Sequence, residues 1–273
     1  MKKIVPFLLA ITVLAACNGN NTEEIDPNLV VPKEVIAAPQ QLTFTIENKY
    51  PHDTAAFTEG LQIYKGKMYE GTGDYENSTI QIADIKTGKV LSKHKMGTSQ
   101  IFGEGINVFK GKIYQLTWKN NIVYVYNEND ISKPIKELKW PYDGWGMTNN
   151  GTDLIIGDGT ANLYFVNPDD FSVKNTIQVR DNTGFVSQVN ELEYIDGYIY
   201  ANVWQTNVII KIDPANGHVV GRMVLPDLPN QHFTNQIVED RTDVLNGIAW
   251  DSTTKKMYIT GKRWPYVFEG TVK

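Results

Sequence analysis

The chain has 273 residues, a formal charge of −5 at neutral pH and one cysteine. The charge is spread without long runs and no basic arm is present, which argues against a nucleic-acid reader; a lone cysteine rules out an intrachain disulfide. Tyr and Trp are abundant, and Trp sits beside Gly, Asn and Thr rather than within apolar runs, which points to aromatic surfaces lining a pocket.

Lys2 and Lys3 precede an apolar stretch from Ile4 to Val13. It is shorter than the ~20 residues a membrane span needs and reads as the core of a signal peptide. Leu14-Ala15-Ala16-Cys17 follows with the pattern of a lipobox. Residues 1–16 are therefore expected to be a lipoprotein signal peptide, with Cys17 the lipidated residue. Acyl chains on Cys17 would anchor the protein to a membrane of a bacterial cell envelope, facing the periplasm or the outer surface. Residues 17–41, rich in Asn, Glu and Pro, cannot bury enough apolar surface to fold and are expected to form a tether. The folded domain is expected over 42–273.

That domain repeats itself every ~45 residues, with a longer last interval. The starts are Glu59-Gly60-Leu61, Glu104-Gly105-Ile106, Trp145-Gly146-Met147, Asn190-Glu191-Leu192 and Asn246-Gly247-Ile248. Each opens a stretch of alternating apolar and polar residues interrupted by a turn: Lys65-Gly66, Lys110-Gly111, Asn150-Gly151, Asp196-Gly197, and a longer turn from Asp251 to Lys256. Glycine in such turns supplies the positive φ of a tight hairpin. A second hairpin follows, as in Thr79–Ala83 with Val90–His94 and Val208–Ile212 with Val219–Met223. Four strands per repeat are the signature of propeller blades. The expected fold is all-β, a five-bladed β-propeller with four-stranded antiparallel blades. The last repeat lacks its outer strand, and Leu42–Tyr50 is expected to supply it and close the ring. An irregular β-sandwich is the competing architecture. A closed ring gives no reason to expect more than a monomer.

The start of each repeat faces the central channel of such a ring. Phe57, Glu59, Glu104, Trp145, Asn190 and Asn246 stand there, and Trp118, Trp204 and Lys262 stand at the far ends of the following strands. Each taken singly has a packing explanation. Together, two carboxylates, a lysine and several tryptophans around one channel are costly to bury without a purpose.

The motifs Phe57-Thr58-Glu59-Gly60-Leu61, Phe102-Gly103-Glu104-Gly105, Leu116-Thr117-Trp118, Gly144-Trp145-Gly146, Asn190-Glu191-Leu192-Glu193, Asn202-Val203-Trp204, Leu245-Asn246-Gly247-Ile248-Ala249 and Thr260-Gly261-Lys262-Arg263-Trp264-Pro265 resemble, in order, those of the plant and bacterial glutaminyl-peptide cyclotransferase (glutamine cyclotransferase) family. The resemblance covers the whole folded domain. It implies a five-bladed propeller that converts the N-terminal glutamine of peptides or proteins to pyroglutamate with release of ammonia. It assigns Glu104 as the acid–base residue and Lys262 as a second catalytic or polarising group. It also implies an aromatic wall of Trp118, Trp145 and Trp204, with Phe57 and Asn190 near the substrate. Many relatives carry Gln at the position of Glu59, so the role of Glu59 is left open.

In such a reaction the α-amine attacks the γ-carboxamide and the amide nitrogen must leave protonated. Glu104 is expected to take the amine's proton and deliver it to the departing nitrogen. Lys262, with Asn190, is expected to donate to the developing oxyanion. No cofactor and no catalytic metal are expected, because His52, His94, His218 and His232 fall at no ligand spacing; Glu and Asn oxygens along the channel would suit a structural calcium. Two other readings stand beside this one: a non-catalytic propeller that binds peptides or glycans at the envelope, and a metal-dependent lactonase-like enzyme, which would usually need six blades.

Overall fold

In a computed structural model, residues 35–96, 98–233 and 243–273 are described; the expected signal peptide, Cys17 and most of the expected tether lie outside them. The predicted turns give the local geometry. Lys65-Gly66, Lys110-Gly111 and Asp196-Gly197 all have positive φ at both residues (49° and 70°, 50° and 79°, 46° and 90°), the conformation that lets a two-residue turn follow the twist of its strands.

Five antiparallel four-stranded blades result. Blade one comprises Thr58–Tyr64, Lys67–Thr72, Thr79–Ala83 and Val90–Lys95, and blade two Gly103–Phe109, Lys112–Thr117, Ile122–Asn127 and Lys136–Lys139. Blade three comprises Met147–Asn149, Leu154–Gly157, Asn162–Val166 and Val173–Gln178, and blade four Val189–Ile195, Tyr198–Val203, Val208–Ile212 and Val219–Val224. Blade five takes Leu245–Asp251, Lys256–Gly261 and Tyr266–Val272 from the C-terminus and Phe44–Pro51 from the N-terminal side, the last pairing antiparallel with Tyr266–Val272. Apolar side chains fill the spaces between blades, as where Tyr114, Leu116 and Trp140 of the second unit meet Met147, Leu154 and Tyr164 of the third.

Three details differ from the expectation. The strand anticipated over 42–50 is two strands. Gln40–Leu42 pairs parallel with Gly221–Met223 at the edge of blade four, and the chain then crosses to blade five. A five-residue helix, Leu228–His232, interrupts the all-β pattern in the long fourth interval, capped by Asp227, which accepts from the Asn230 amide at 3.2 Å. A two-stranded ribbon, Arg180–Asp181 with Gly184–Phe185, follows blade three. His52 is used structurally: Nδ1 lies 2.7 Å from the Trp264 carbonyl and Nε2 3.0 Å from Glu70, pinning the closing strand to blade one.

Neighbouring inner strands are latched by side chains at one repeated position, three residues after each start. Gln62 accepts from the Val108 amide at 2.7 Å, Thr148 from Tyr194 at 3.0 Å and Glu193 from Trp250 at 2.9 Å. Between blades two and three the Asn149 side-chain amide donates to Asn107 at 2.8 Å. At the fifth junction the equivalent residue, Ala249, has no polar group to offer. Glu191 of blade four serves there instead, accepting from the amides of Leu61 in blade one (3.1 Å) and Ile248 in blade five (2.7 Å). Its position in the repeat is glycine in the other four blades. A Cβ on Gly60 would come 2.4 Å from the Ile106 amide, one on Gly105 2.5 Å from the Trp145 carbonyl, and one on Gly146 2.0 Å from the Asn190 carbonyl. The axis thus holds one side chain at this level, and Glu191 is that side chain, buried to 1% exposure.

Candidate active site

Two rings of equivalent residues build a pocket above Glu191. The first ring is the start of each inner strand. In blades one, two, four and five the strand pairing slips at this point, with bulges between Thr58 and Gly60, Gly103 and Ile106, Val189 and Leu192, and Leu245 and Ile248. A bulge re-aims a side chain that the ladder would otherwise point into the sheet, and Glu59, Glu104, Asn190 and Asn246 are the residues re-aimed. Trp145 holds the same place in blade three. The second ring is the first residue past each second strand: Gly73, Trp118, Asp158, Trp204 and Lys262. It is fixed by a recurring backbone bond in which the amides of Gly73, Trp118, Trp204 and Lys262 donate to the carbonyls of Phe57, Phe102, Gln188 and Val244, at 2.7–3.0 Å. Gly73 is needed because a Cβ there would come 2.3 Å from the Phe102 ring and 3.1 Å from Glu59. Asp158 turns away to accept from the Tyr164 hydroxyl at 2.9 Å.

The pocket encloses roughly 180 Å³ and is lined by Phe57, Glu59, Phe102, Glu104, Trp118, Trp145, Asn190, Trp204, Asp243 and Lys262. This is smaller than the ~300–1,000 Å³ of drug-sized ligand sites and suits a group the size of one residue. Of the nine channel-facing residues named from the sequence, eight are in this wall and Asn246 contacts Glu59 from outside it. Phe102 and Asp243 were not named. Phe102 had a readable signal, since it precedes Glu104 as Phe57 precedes Glu59. Asp243 lies just ahead of the last repeat and had none; it is brought in by a reciprocal backbone pair, its amide donating to the Lys262 carbonyl while the Lys262 amide donates to Val244. Trp264, in the same motif as Lys262, packs instead in the core against Phe233 and Phe268.

The aromatic walls form two arcs. Phe57, Phe102 and Trp118 meet edge to face, at centroid distances of 6.0 and 5.8 Å, and Trp145 meets Trp204 at 5.5 Å and 88°. Between them lies a charged cluster. Lys262 Nζ is 2.6 Å from Glu59 Oε1 and 4.4 Å from the Phe57 ring centroid. Asn246 Nδ2 donates to Glu59 Oε2 at 3.2 Å. Glu104 is hydrogen-bonded to Glu59. Burial, with the Glu59 charge adding to it, pushes the Glu104 carboxyl well above the usual range. Burial also raises Glu59, but the Lys262 charge and bond hold it to about 7. Glu104 is thus the protonated partner, donating to a Glu59 carboxylate that Lys262 neutralises. Two buried polar atoms of the wall lack partners, the Trp145 indole N–H and the Asn190 side-chain oxygen. Among the described residues no three His, Cys, Asp or Glu side chains are grouped to hold a metal ion.

The model of one protein family, glutamine cyclotransferase, matches residues 8–272. A curated glutaminyl-peptide cyclotransferase of Arabidopsis thaliana is 37% identical over 228 residues, covering 82% of this chain and 70% of the relative. The crystal structure of glutaminyl cyclase from Myxococcus xanthus superposes with a TM-score of 0.78 at 30% identity, over 86% of this chain and 98% of that one.

Proposed function

The chain belongs to the glutamine cyclotransferase family, and from that premise we propose how its pocket performs the reaction. The reaction is conversion of the N-terminal glutamine of a peptide to pyroglutamate with release of ammonia. The observation that carries the assignment of roles is a proton donor, a carboxylate and a cation gathered in one residue-sized aromatic pocket. The glutamine side chain folds back between the two aromatic arcs, which exclude water and bring amine and carboxamide into contact; fixing that geometry removes much of the entropic barrier to closure. The two orphaned wall atoms suit this guest. A buried polar atom without a partner costs about 1–3 kcal/mol, and the substrate supplies both partners: its carboxamide oxygen accepts from the Trp145 N–H, and its amine donates to the Asn190 oxygen. This differs from the donor role expected for Asn190. Lys262 has donors to spare beyond its bond to Glu59 and meets the oxyanion as charge develops. Glu104, protonated, gives its proton to the departing nitrogen.

Asp243 is exposed at the rim and faces the incoming α-ammonium. Asp243→Asn is expected to raise KM roughly five-fold, the effect of losing an exposed ion pair of ~1 kcal/mol, with kcat unchanged. Steady-state kinetics on a Gln-initiated dipeptide check this; a fall in kcat at constant KM would remove Asp243 from substrate capture.

In class the reaction is acyl transfer to an internal amine. We propose that it proceeds without metal or other cofactor, since acid, base and cation are all side chains of the chain. The lipobox supports a mature protein anchored through Cys17 in the bacterial envelope, acting there as a monomer on peptides or proteins with N-terminal Gln. The test is ammonia release from a Gln-initiated dipeptide by protein lacking the residues before Asn18, with and without chelator. Chelator-insensitive release is expected. A folded protein that releases none would favour the peptide- or glycan-binding propeller.

A further inference from the structure

We propose that Glu59 is a second catalytic carboxyl of this site: it takes the proton from the attacking amine while Glu104 supplies the proton that leaves with ammonia. The proposal rests on the cyclotransferase reading above. A single carboxyl serving both ends must be ionised when the amine attacks, yet Glu104 enters the cycle holding its proton and bonded through it to Glu59. The carboxylate of the pair is Glu59. One oxygen is engaged by Lys262 at 2.6 Å and the other by Asn246 at 3.2 Å, and a carboxylate has about four acceptor positions, so a position remains for the amine's proton. The Asn246 side-chain oxygen, buried beside it, has no partner, and protonated Glu59 can turn its new O–H toward it.

The step balances within the site. The neutral amine attacks the carboxamide carbon and the ring C–N bond forms. One amine proton passes to Glu59, the Glu104 proton passes to the leaving nitrogen, and the old C–N bond breaks to release ammonia. The Glu59 proton then crosses the direct hydrogen bond to Glu104 and restores the starting state. No co-reactant is consumed. The charges facing the pair are Lys262, Asp243 and Asp143 around it and Glu191 beneath. Of these only Lys262 is positive, and it contacts Glu59, which explains why the pair divides as it does.

Glu59→Gln separates this role from a structural one, because glutamine keeps the size and still accepts from Lys262. With the neighbouring charge gone, Glu104 ionises more readily and takes over both tasks. The expected result is a kcat about ten- to hundred-fold lower, short of the 10²–10⁴ of a full acid–base group, and an alkaline limb of the kcat–pH profile displaced to lower pH. Glu59→Asp, which keeps a carboxylate for Lys262, restores part of kcat. Wild-type kcat with an unmoved alkaline limb in Glu59→Gln would overturn the proposal, as would a change confined to KM. Absence of turnover in the parent protein would sink the cyclotransferase reading itself, whereas an active parent with an indifferent Glu59→Gln variant sinks only the role of Glu59.

Discussion

Glu104→Gln is expected to lower kcat by ~10²–10⁴ while leaving the propeller folded. Glutamine fills the same volume and can still donate to Glu59, so the hydrogen bond across the pocket survives and only the transferable proton is lost. An amide nitrogen is a poor leaving group without that proton, and among the described residues the other buried acid of the pocket is Glu59, which Lys262 makes the readier of the two to ionise. The variant should also be more stable in alkali than the parent. The Glu104 pKa is raised in the fold by burial and by Glu59, so the native state holds a proton that the unfolded chain, with a carboxyl near 4.5, has already released. The stability this gives is fully present at low pH and declines as pH rises through the interval between the two values. Glutamine cannot ionise and does not suffer the decline. Urea midpoints of parent and variant should therefore converge near pH 4 and separate above it, with the variant higher. Turnover within ten-fold of the parent would remove Glu104 from proton transfer.

Lys262→Met should be nearly as damaging by a different route. Among the described residues Lys262 is the one cation against Glu59, and both side chains are almost fully buried, at 5% and 2% exposure. Without Lys262, the largest of the influences that oppose burial is gone, the bonds from Asn246 and Glu104 alone do not offset it, and the Glu59 carboxyl is held protonated at neutral pH. The pocket then holds two neutral acids, no base and one oxyanion donor fewer, a loss we expect to exceed ~10² in kcat. Breaking a buried pair from one side costs up to about 3–5 kcal/mol, but here protonation of Glu59 relieves much of it at neutral pH. The destabilisation should therefore be small at pH 6 and grow toward pH 9, where holding Glu59 neutral opposes the solution proton activity. Adding Glu59→Gln to Lys262→Met should recover the stability and not the activity. A pH-independent loss of stability in Lys262→Met would show that the pair is not the buried ion pair described.

The blades were legible because their signals are local. Lys65-Gly66 or Asp196-Gly197 between alternating residues specifies a hairpin, and five repeat units, the last after a longer interval, specify the ring. What escaped was short or depended on a distant partner. Gln40–Leu42 is three residues with no periodicity of its own, made a strand by the free edge of blade four; the break after Leu42 follows from that pairing. The helix Leu228–His232 is too short for a helical pattern to emerge. In the site, repetition again did the work, since a residue at the same place in each of several blades must face the same axis. Asp243 stands outside the repeat and was invisible for that reason. A single shuttling glutamate was expected, and the division of labour proposed above for the two carboxyls was out of reach. Glu59 and Glu104 look alike in the chain; they differ only because Lys262, brought from blade five, reaches one of them first.

Glu191 has a consequence for traffic. By filling the axis it turns a ring that could be open at both ends into a blind well. Substrate enters and both products leave by the same mouth. With Glu104 as the proposed donor to the leaving nitrogen, ammonia would form beside it, with the pyroglutamyl ring and the rest of the peptide above. A folded protein held by its N-terminus would cover that mouth, so ammonia release from it is expected to follow departure of the protein.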